Sequence, residues 1–246
     1  MMVEIIIAAT LGLFIGSFLN VVIYRLPLSI DTNATIDLIN PKRSFCPVCK
    51  QKLSALELVP IFSYLTQKGK CKHCGTTISW QYPLIETMTA LISALIVFMF
   101  GATIESGFYL LLAWLLIPLF VIDLKERLLP DVLTLSLMWI GFIYQMQFGD
   151  LQNGVIGAMA GYLLLWSMYW LFKIIRKKEG MGYGDFKLLA ALGAWLGWQT
   201  IPQLLLSASV LGLIFFVLSS TKKDQVFAFG PFLIAGFLFV KLSALL

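Results

Sequence analysis

Charge is scarce in this chain: 13% of its 246 residues are Asp, Glu, Lys or Arg, against 59% that are hydrophobic. So little polar surface cannot cover a globular core, which excludes a soluble domain. The apolar stretches lack the polar–apolar alternation of barrel strands and are too long for them, which argues against an outer-membrane barrel. No basic region precedes the first apolar run and no small-residue cleavage site follows it, so it is expected to be retained rather than removed as a signal peptide. What remains is a series of long apolar stretches with short gaps, the pattern of packed transmembrane helices.

The fold class expected is an all-α membrane protein of about eight transmembrane helices, with a zinc-ribbon-like cytoplasmic loop between the first two. The spans are placed at 3–24, 83–101, 106–123, 131–147, 153–174, 185–199, 203–219 and 229–246. This divides the chain into a first helix, 1–24, a four-cysteine loop domain, 25–82, and a transmembrane core, 83–246.

The basic residues orient the stack. With 25–82 placed in the cytoplasm, strict alternation leaves 101–105, 148–152 and the connection around 200–202 outside, and these contain no Lys or Arg. The inside regions and their flanks hold 17 of the 18 basic residues, Lys241 alone being left over. So complete a bias sets the orientation, with both termini outside. It also accounts for the net charge of +5, so no nucleic-acid partner is expected.

The four cysteines form two pairs, Cys46-Pro-Val-Cys49 and Cys71-Lys-His-Cys74. Each C-x-x-C knuckle offers two thiolates to one tetrahedral Zn²⁺. Lys50, Lys70 and Lys72 favour thiolate formation, and Gly75 suits a tight knuckle turn. Disulfides are the rival, but the loop is placed in a reducing compartment. A redox C-x-x-C would need a strand–helix unit that is absent from the pattern. His73 is an alternative ligand, although four cysteines already complete the shell. The expectation is a structural zinc site held by Cys46, Cys49, Cys71 and Cys74.

Acids at a membrane edge are functional candidates by default. Glu4, Glu105 and Asp150 look like boundary charges at outer ends, and Asp31, Asp37, Glu57 and Asp224 lie in cytoplasmic loops. Glu86, Asp123, Glu126, Asp131, Glu179 and Asp185 gather near the inner face. Asp123 ends the third span before Leu129-Pro130-Asp131, and Asp185 opens the sixth within Gly180-Met181-Gly182-Tyr183-Gly184-Asp185-Phe186-Lys187. The alternating glycines permit positive φ, so the backbone is expected to open before the acid and approach another chain. The spacing is not that of a P-loop, and no strand precedes it.

Two carboxylates in contact share a proton, so that one serves as base and the other as acid. That is aspartyl-protease chemistry. A plainer reading fits position alone equally well: each acid caps a helix or pairs with Lys125, Arg127 or Lys187. A membrane assembly factor recruiting a partner through its zinc ribbon is thus one alternative function. A transporter with an acidic proton relay is another, although both acids lie at one face rather than near the midplane.

In these residues the chain resembles the prepilin peptidases (type IV leader peptidases), which are GxGD-type intramembrane aspartyl proteases. The resemblance runs in order through Gly16-Ser17-Phe18-Leu19-Asn20-Val21-Val22-Ile23-Tyr24-Arg25-Leu26-Pro27, the two C-x-x-C pairs, Ile78-Ser79-Trp80-Gln81-Tyr82-Pro83-Leu84-Ile85-Glu86, the Asp123 segment, Gly182-Tyr183-Gly184-Asp185-Phe186-Lys187 and Phe229-Gly230-Pro231-Phe232. It implies that Asp123 and Asp185 are the catalytic pair, with Gly182, Gly184, Lys187 and Asp131 in supporting places. Pro130 and Asp131 are suited to start the fourth span. It implies type IV prepilin or pseudopilin precursors as substrates, with a short basic leader ending in Gly before a hydrophobic helix. Cleavage at the cytoplasmic face of the bacterial inner membrane follows, then S-adenosylmethionine-dependent N-methylation in the bifunctional members. Glu86 is expected to be an acid favoured by a helix dipole.

Overall fold

The computed structural model describes residues 1–30, 43–177, 182–218 and 228–243. Asp31, Asp37, Glu179, Gly180, Met181 and Asp224, named above, lie outside them. Among the described residues the regular structure is helical, and β pairing is limited to two isolated antiparallel bridges. The helices are α1 Met2–Ile30, α2 Phe62–Thr66, α3 Gln81–Phe100, α4 Ile104–Glu126, α5 Asp131–Phe148, α6 Leu151–Arg176, α7 Tyr183–Leu196, α8 Ile201–Leu218 and α9 Gly230–Ser243.

A helix therefore stands at each of the eight places expected for a span. Five stretches are long and apolar enough to cross a membrane: α1, α3, α4, α6 and 198–218. α7 is not among them. Its 14 residues rise only about 21 Å, short of a hydrocarbon layer of about 30 Å. It stops at Gly197, whose φ of +83° breaks the helix, whereas apolarity alone had suggested a run to 199. α1 differs in the other direction, continuing through Arg25 and Pro27 to Ile30. The charge that ended the apolar run is itself buried, as is Leu26 beside it.

The chain divides into two compact units, 1–118 and 119–246. In the first, α1 packs on α3 through Gly12 and Gly16. A methyl at either glycine would lie 2.8 Å or 2.7 Å from the Ala90 or Glu86 Cα, so the small-x-x-x-small spacing is what brings the helices together. One turn further, Asn20 donates from Nδ2 to the Gly16 and Tyr82 carbonyls, at 3.2 and 3.1 Å. Glu86, read as a dipole-favoured acid, has another role. It lies beyond the first turn of α3, is buried, and accepts the Ile61 N–H on Oε2 at 2.7 Å. Ile61 holds φ at +60°, a strained conformation for a β-branched residue.

In the second unit α7 is the central helix, buried at almost every position from Asp185 to Trp195. Gly161 lets α6 close on it, since a methyl there would meet the Leu189 carbonyl oxygen at 2.8 Å. Trp195 stacks on Tyr144 with centroids 5.0 Å apart and donates from Nε1 to the Leu137 carbonyl at 2.9 Å. Gln145 Nε2 caps the chain end of α7 by donating to the Trp195 carbonyl at 2.8 Å. This rigid core presents the first turn of α7, and Asp185 with it.

Candidate active site and metal centre

Asp123 lies in the last turn of α4 and Asp185 in the first turn of α7, and both are buried. They line one cavity of about 300 Å³ with Arg127, Leu129, Asp131, Gly182, Gly184 and Lys187 among its walls. All six residues expected at the site thus come together, from segments up to 64 positions apart in sequence (Asp123 to Lys187). Burying two acids on one cavity is costly unless they share a proton or gain donors.

A donor is present. The backbone N–H of Gly230, the first residue of α9, reaches Asp123 Oδ2 at 2.9 Å. Asp185 sits at the N-terminal end of its own helix, where unpaired N–H groups favour negative charge. Lys187, one candidate partner for the acids, instead donates to both carboxylate oxygens of Asp131 at 2.7 Å. That pair joins the start of α5, where Asp131 follows the Pro130 cap, to the N-terminal half of α7.

The glycines work differently from the expectation. Gly182 caps α7 with φ at −79°, and Gly184 is helical, so neither needs positive φ. What Gly184 supplies is proximity. A methyl there would lie 2.9 Å from the Leu129 Cβ, and one on Gly230 would lie 3.3 Å from Leu129 Cδ1. Leu129, buried, is thus wedged between the backbones that carry the two acids' surroundings. Neither Leu129 nor Gly230 carried a role in the sequence reading, although both lie in motifs quoted there. Their signal was the absence of a side chain at 184 and 230, without a partner to explain it.

The four sulfurs of Cys46, Cys49, Cys71 and Cys74 lie within 4.8 Å of one another, with Cys46 and Cys74 Sγ 3.9 Å apart. The two pairs sit on separate knuckles of the same form. Cys46 N–H donates to Gln51 O and Lys50 N–H to Cys46 O, each at 2.9 Å. Cys71 N–H donates to Thr76 O at 2.8 Å and Gly75 N–H to Cys71 O at 2.9 Å. Bridges Phe45–Lys52 and Lys70–Thr77 close the two turns. The residue four after the first cysteine has positive φ in both, +57° at Lys50 and +72° at Gly75. Gly75 is at ease there; Lys50, which only its place in the knuckle could identify, is not.

The knuckle geometry aims amides at sulfur. The Cys49 amide leads the effects that bring the Cys46 thiol down to about 7, and the Cys74 amide does most to lower Cys71. Four thiols so crowded can hold a metal ion, because a cation relieves the repulsion among thiolates. His73 turns elsewhere, its Nε2 3.4 Å from Glu57 Oε1. Glu57 is held by Ser54, whose backbone N–H and hydroxyl donate to Oε2 at 2.8 and 2.7 Å.

Comparison with known proteins follows the same division. Residues 10–100 match the bacterial peptidase A24 N-terminal domain, and 110–217 match the type IV leader peptidase family. Over 256 residues the chain is 45% identical to a prepilin leader peptidase/N-methyltransferase of Aeromonas salmonicida, covering 92% of this chain and 87% of the relative. It is 44% identical over 252 residues to a protein of that name from Pseudomonas aeruginosa, covering 93% and 87%. The same name and 44% identity, over 250 residues, apply to a relative from Dichelobacter nodosus, covering 92% and 87%. No solved structure matches the chain significantly.

Proposed function

The chain belongs to the type IV leader peptidase family, and on that premise we propose that it is an inner-membrane enzyme that removes the leaders of type IV prepilins or pseudopilins and methylates the amine exposed. The observation that supports a peptidase mechanism most directly is the meeting of buried Asp123 and Asp185 on one cavity. Asp123, held by the Gly230 amide, is the base that takes a proton from water. The water oxygen then bonds to the scissile carbonyl carbon, while Asp185, carrying the shared proton, donates a hydrogen bond to the carbonyl oxygen. The C–N bond breaks as its nitrogen receives a proton back from the pair.

Gly182 caps α7 beside Asp185, and Gly184 lets the first turn of α7 close on Leu129. Asp131 and Lys187 hold α5 against α7 as a supporting ion pair. The substrate cleaved is a precursor with a short basic leader ending in Gly, presented at the cytoplasmic face, an orientation that the distribution of basic residues supports. The cysteine cluster holds one structural Zn²⁺ through Cys46, Cys49, Cys71 and Cys74, a closed set of ligands that leaves no position for substrate. Methylation draws on S-adenosylmethionine.

Mass spectrometry of a purified prepilin incubated with the enzyme and methyl donor tests this function. The product expected lacks the leader and is heavier by one methyl group. A precursor left intact across several prepilins would contradict it.

A further inference from the structure

The segment between the two cysteine knuckles carries apolar side chains that a water-facing loop would bury. Phe62 is 64% exposed and Leu65 67%, with Leu56 at 81% in the turn that leads into α2 and Trp80 at 76% beside it. Phe62 and Leu65 are three positions apart on a helix and so share a face. The other side of α2 is occupied: Ser63, Tyr64 and Gln67 line a cavity inside the first unit, of which Phe62, Leu65, Leu56 and Trp80 form no part. Apolar groups gathered outward in this way mark an interaction surface.

Two contacts fix the level of this face. α3 is long and apolar enough to cross a membrane, and Glu86 stands five positions after Gln81, its first residue, about 7 Å along the axis. The Ile61 N–H is held there, on Glu86 Oε2. Three residues later the Tyr64 ring lies 5.5 Å from that of Trp80, which immediately precedes α3. α2 therefore runs beside the end of α3, from inside the span back to its edge. Its backbone is equipped for that place. Pro60 has no N–H, the Ile61 N–H is taken by Glu86, and those of Ser63 and Leu65 reach the Val59 and Ile61 carbonyls at 3.0 Å, so these donors do not meet hydrocarbon bare. The buried acid and the positive φ of Ile61 together turn the chain at this depth. Beyond α2 come Lys68 and Lys70, both exposed.

We propose that residues 56–66 are a membrane-seated anchor. Phe62 and Leu65, with Leu56 and Trp80, enter the boundary between headgroups and acyl chains about 5–10 Å deep, in the leaflet at that end of α3. Lys68 and Lys70 meet the anionic headgroups above it. Charge selects lipid over the other apolar occupants. A prepilin with a basic leader, the substrate in the reading above, is repelled by these lysines, and a second copy would set the same lysines against them. Seating α2 in lipid also holds the adjoining second knuckle, which begins at Lys70, at the membrane surface.

Photocrosslinking identifies the occupant. A benzophenone amino acid is inserted at position 65, and separately at 62, of the full-length protein, which is reconstituted into phosphatidylethanolamine–phosphatidylglycerol vesicles with a purified prepilin present. After irradiation, peptide mass spectrometry is expected to find phospholipid adducts at both positions. Adducts chiefly to prepilin, to a second copy or to another part of this chain, or no adduct at either position, would overturn the proposal. Vesicles with equal phosphatidylglycerol and phosphatidylcholine test the lysines. Phosphatidylglycerol adducts at 65 are expected to exceed phosphatidylcholine adducts by at least about twofold. The excess should vanish in Lys68→Gln with Lys70→Gln, a surface change that leaves size-exclusion behaviour as in wild type. Equal labelling before the substitutions, or an excess that survives them, would overturn the headgroup assignment.

Discussion

The backbone N–H of Gly230 donates to Asp123 Oδ2 at 2.9 Å across 107 positions of sequence. The contact requires glycine, because a methyl on Gly230 would lie 2.6 Å from that oxygen and 3.2 Å from Cγ. Gly230→Ala must therefore push the carboxylate and the start of α9 apart. A hydrogen bond to a charged acceptor is worth ~1.5–3 kcal/mol, so kcat for leader cleavage is expected to fall by about tenfold or more. KM should move little, since the bond touches no substrate. A change confined to KM would place Gly230 in substrate binding instead.

Gly184 tests the close packing around Leu129. The 2.9 Å approach of an added methyl to Leu129 Cβ predicts that Gly184→Ala destabilises the protein by ~1–3 kcal/mol, the usual cost of overpacking. The added methyl carbon meets a β carbon, so shortening Leu129 relieves only part of the crowding. Thermal unfolding in detergent should show Gly184→Ala with Leu129→Gly recovering stability relative to Gly184→Ala with Leu129→Ala. Equal melting in the two double variants would contradict the contact.

The Asp131–Lys187 pair is partly exposed, its side chains 57% and 33% accessible. Exposed ion pairs contribute about 0–1 kcal/mol. Lys187→Met should accordingly reduce cleavage modestly, by less than about tenfold. The exchanged pair, Asp131→Lys with Lys187→Asp, should cleave better than either of its single variants. A loss in Lys187→Met as deep as that of an Asp123 variant would instead put the ammonium on the reacting groups.

Metal analysis of the purified protein is expected to give one zinc per chain. Cys46→Ser and Cys71→Ser should each lose it and melt at lower temperature, because metal binding and folding of such a loop are linked. Full thermal stability without metal would show that the four sulfurs are held by the knuckles alone.

Much of this architecture was legible because bilayers impose simple rules. Apolar runs anticipated a helix at each of the eight expected places, five of which hold a stretch long and apolar enough to cross a membrane, and paired C-x-x-C spacing located the sulfur cluster. The chain's departures have particular causes. Arg25 suggested the end of α1 because charge normally leaves the membrane, yet it is buried and α1 continues to Ile30. Glu86 resembled a dipole-favoured acid because its partner is the amide of Ile61, whose left-handed conformation no propensity for a β-branched residue would suggest. The meaning of Gly184 and Gly230 was hidden for a related reason. Both are explained by atoms far away in sequence, Leu129 and Asp123, and local patterns carry no record of such partners.

The most direct test of the account is leader cleavage by wild type, Asp123→Asn, Asp185→Asn and the double variant, all inserted to the same level. If the two acids act as one unit, each single variant should lose nearly as much as the double, since removing either member stops the shared proton from working. Normal cleavage by either single variant, or losses that simply multiply in the double, would contradict the paired mechanism.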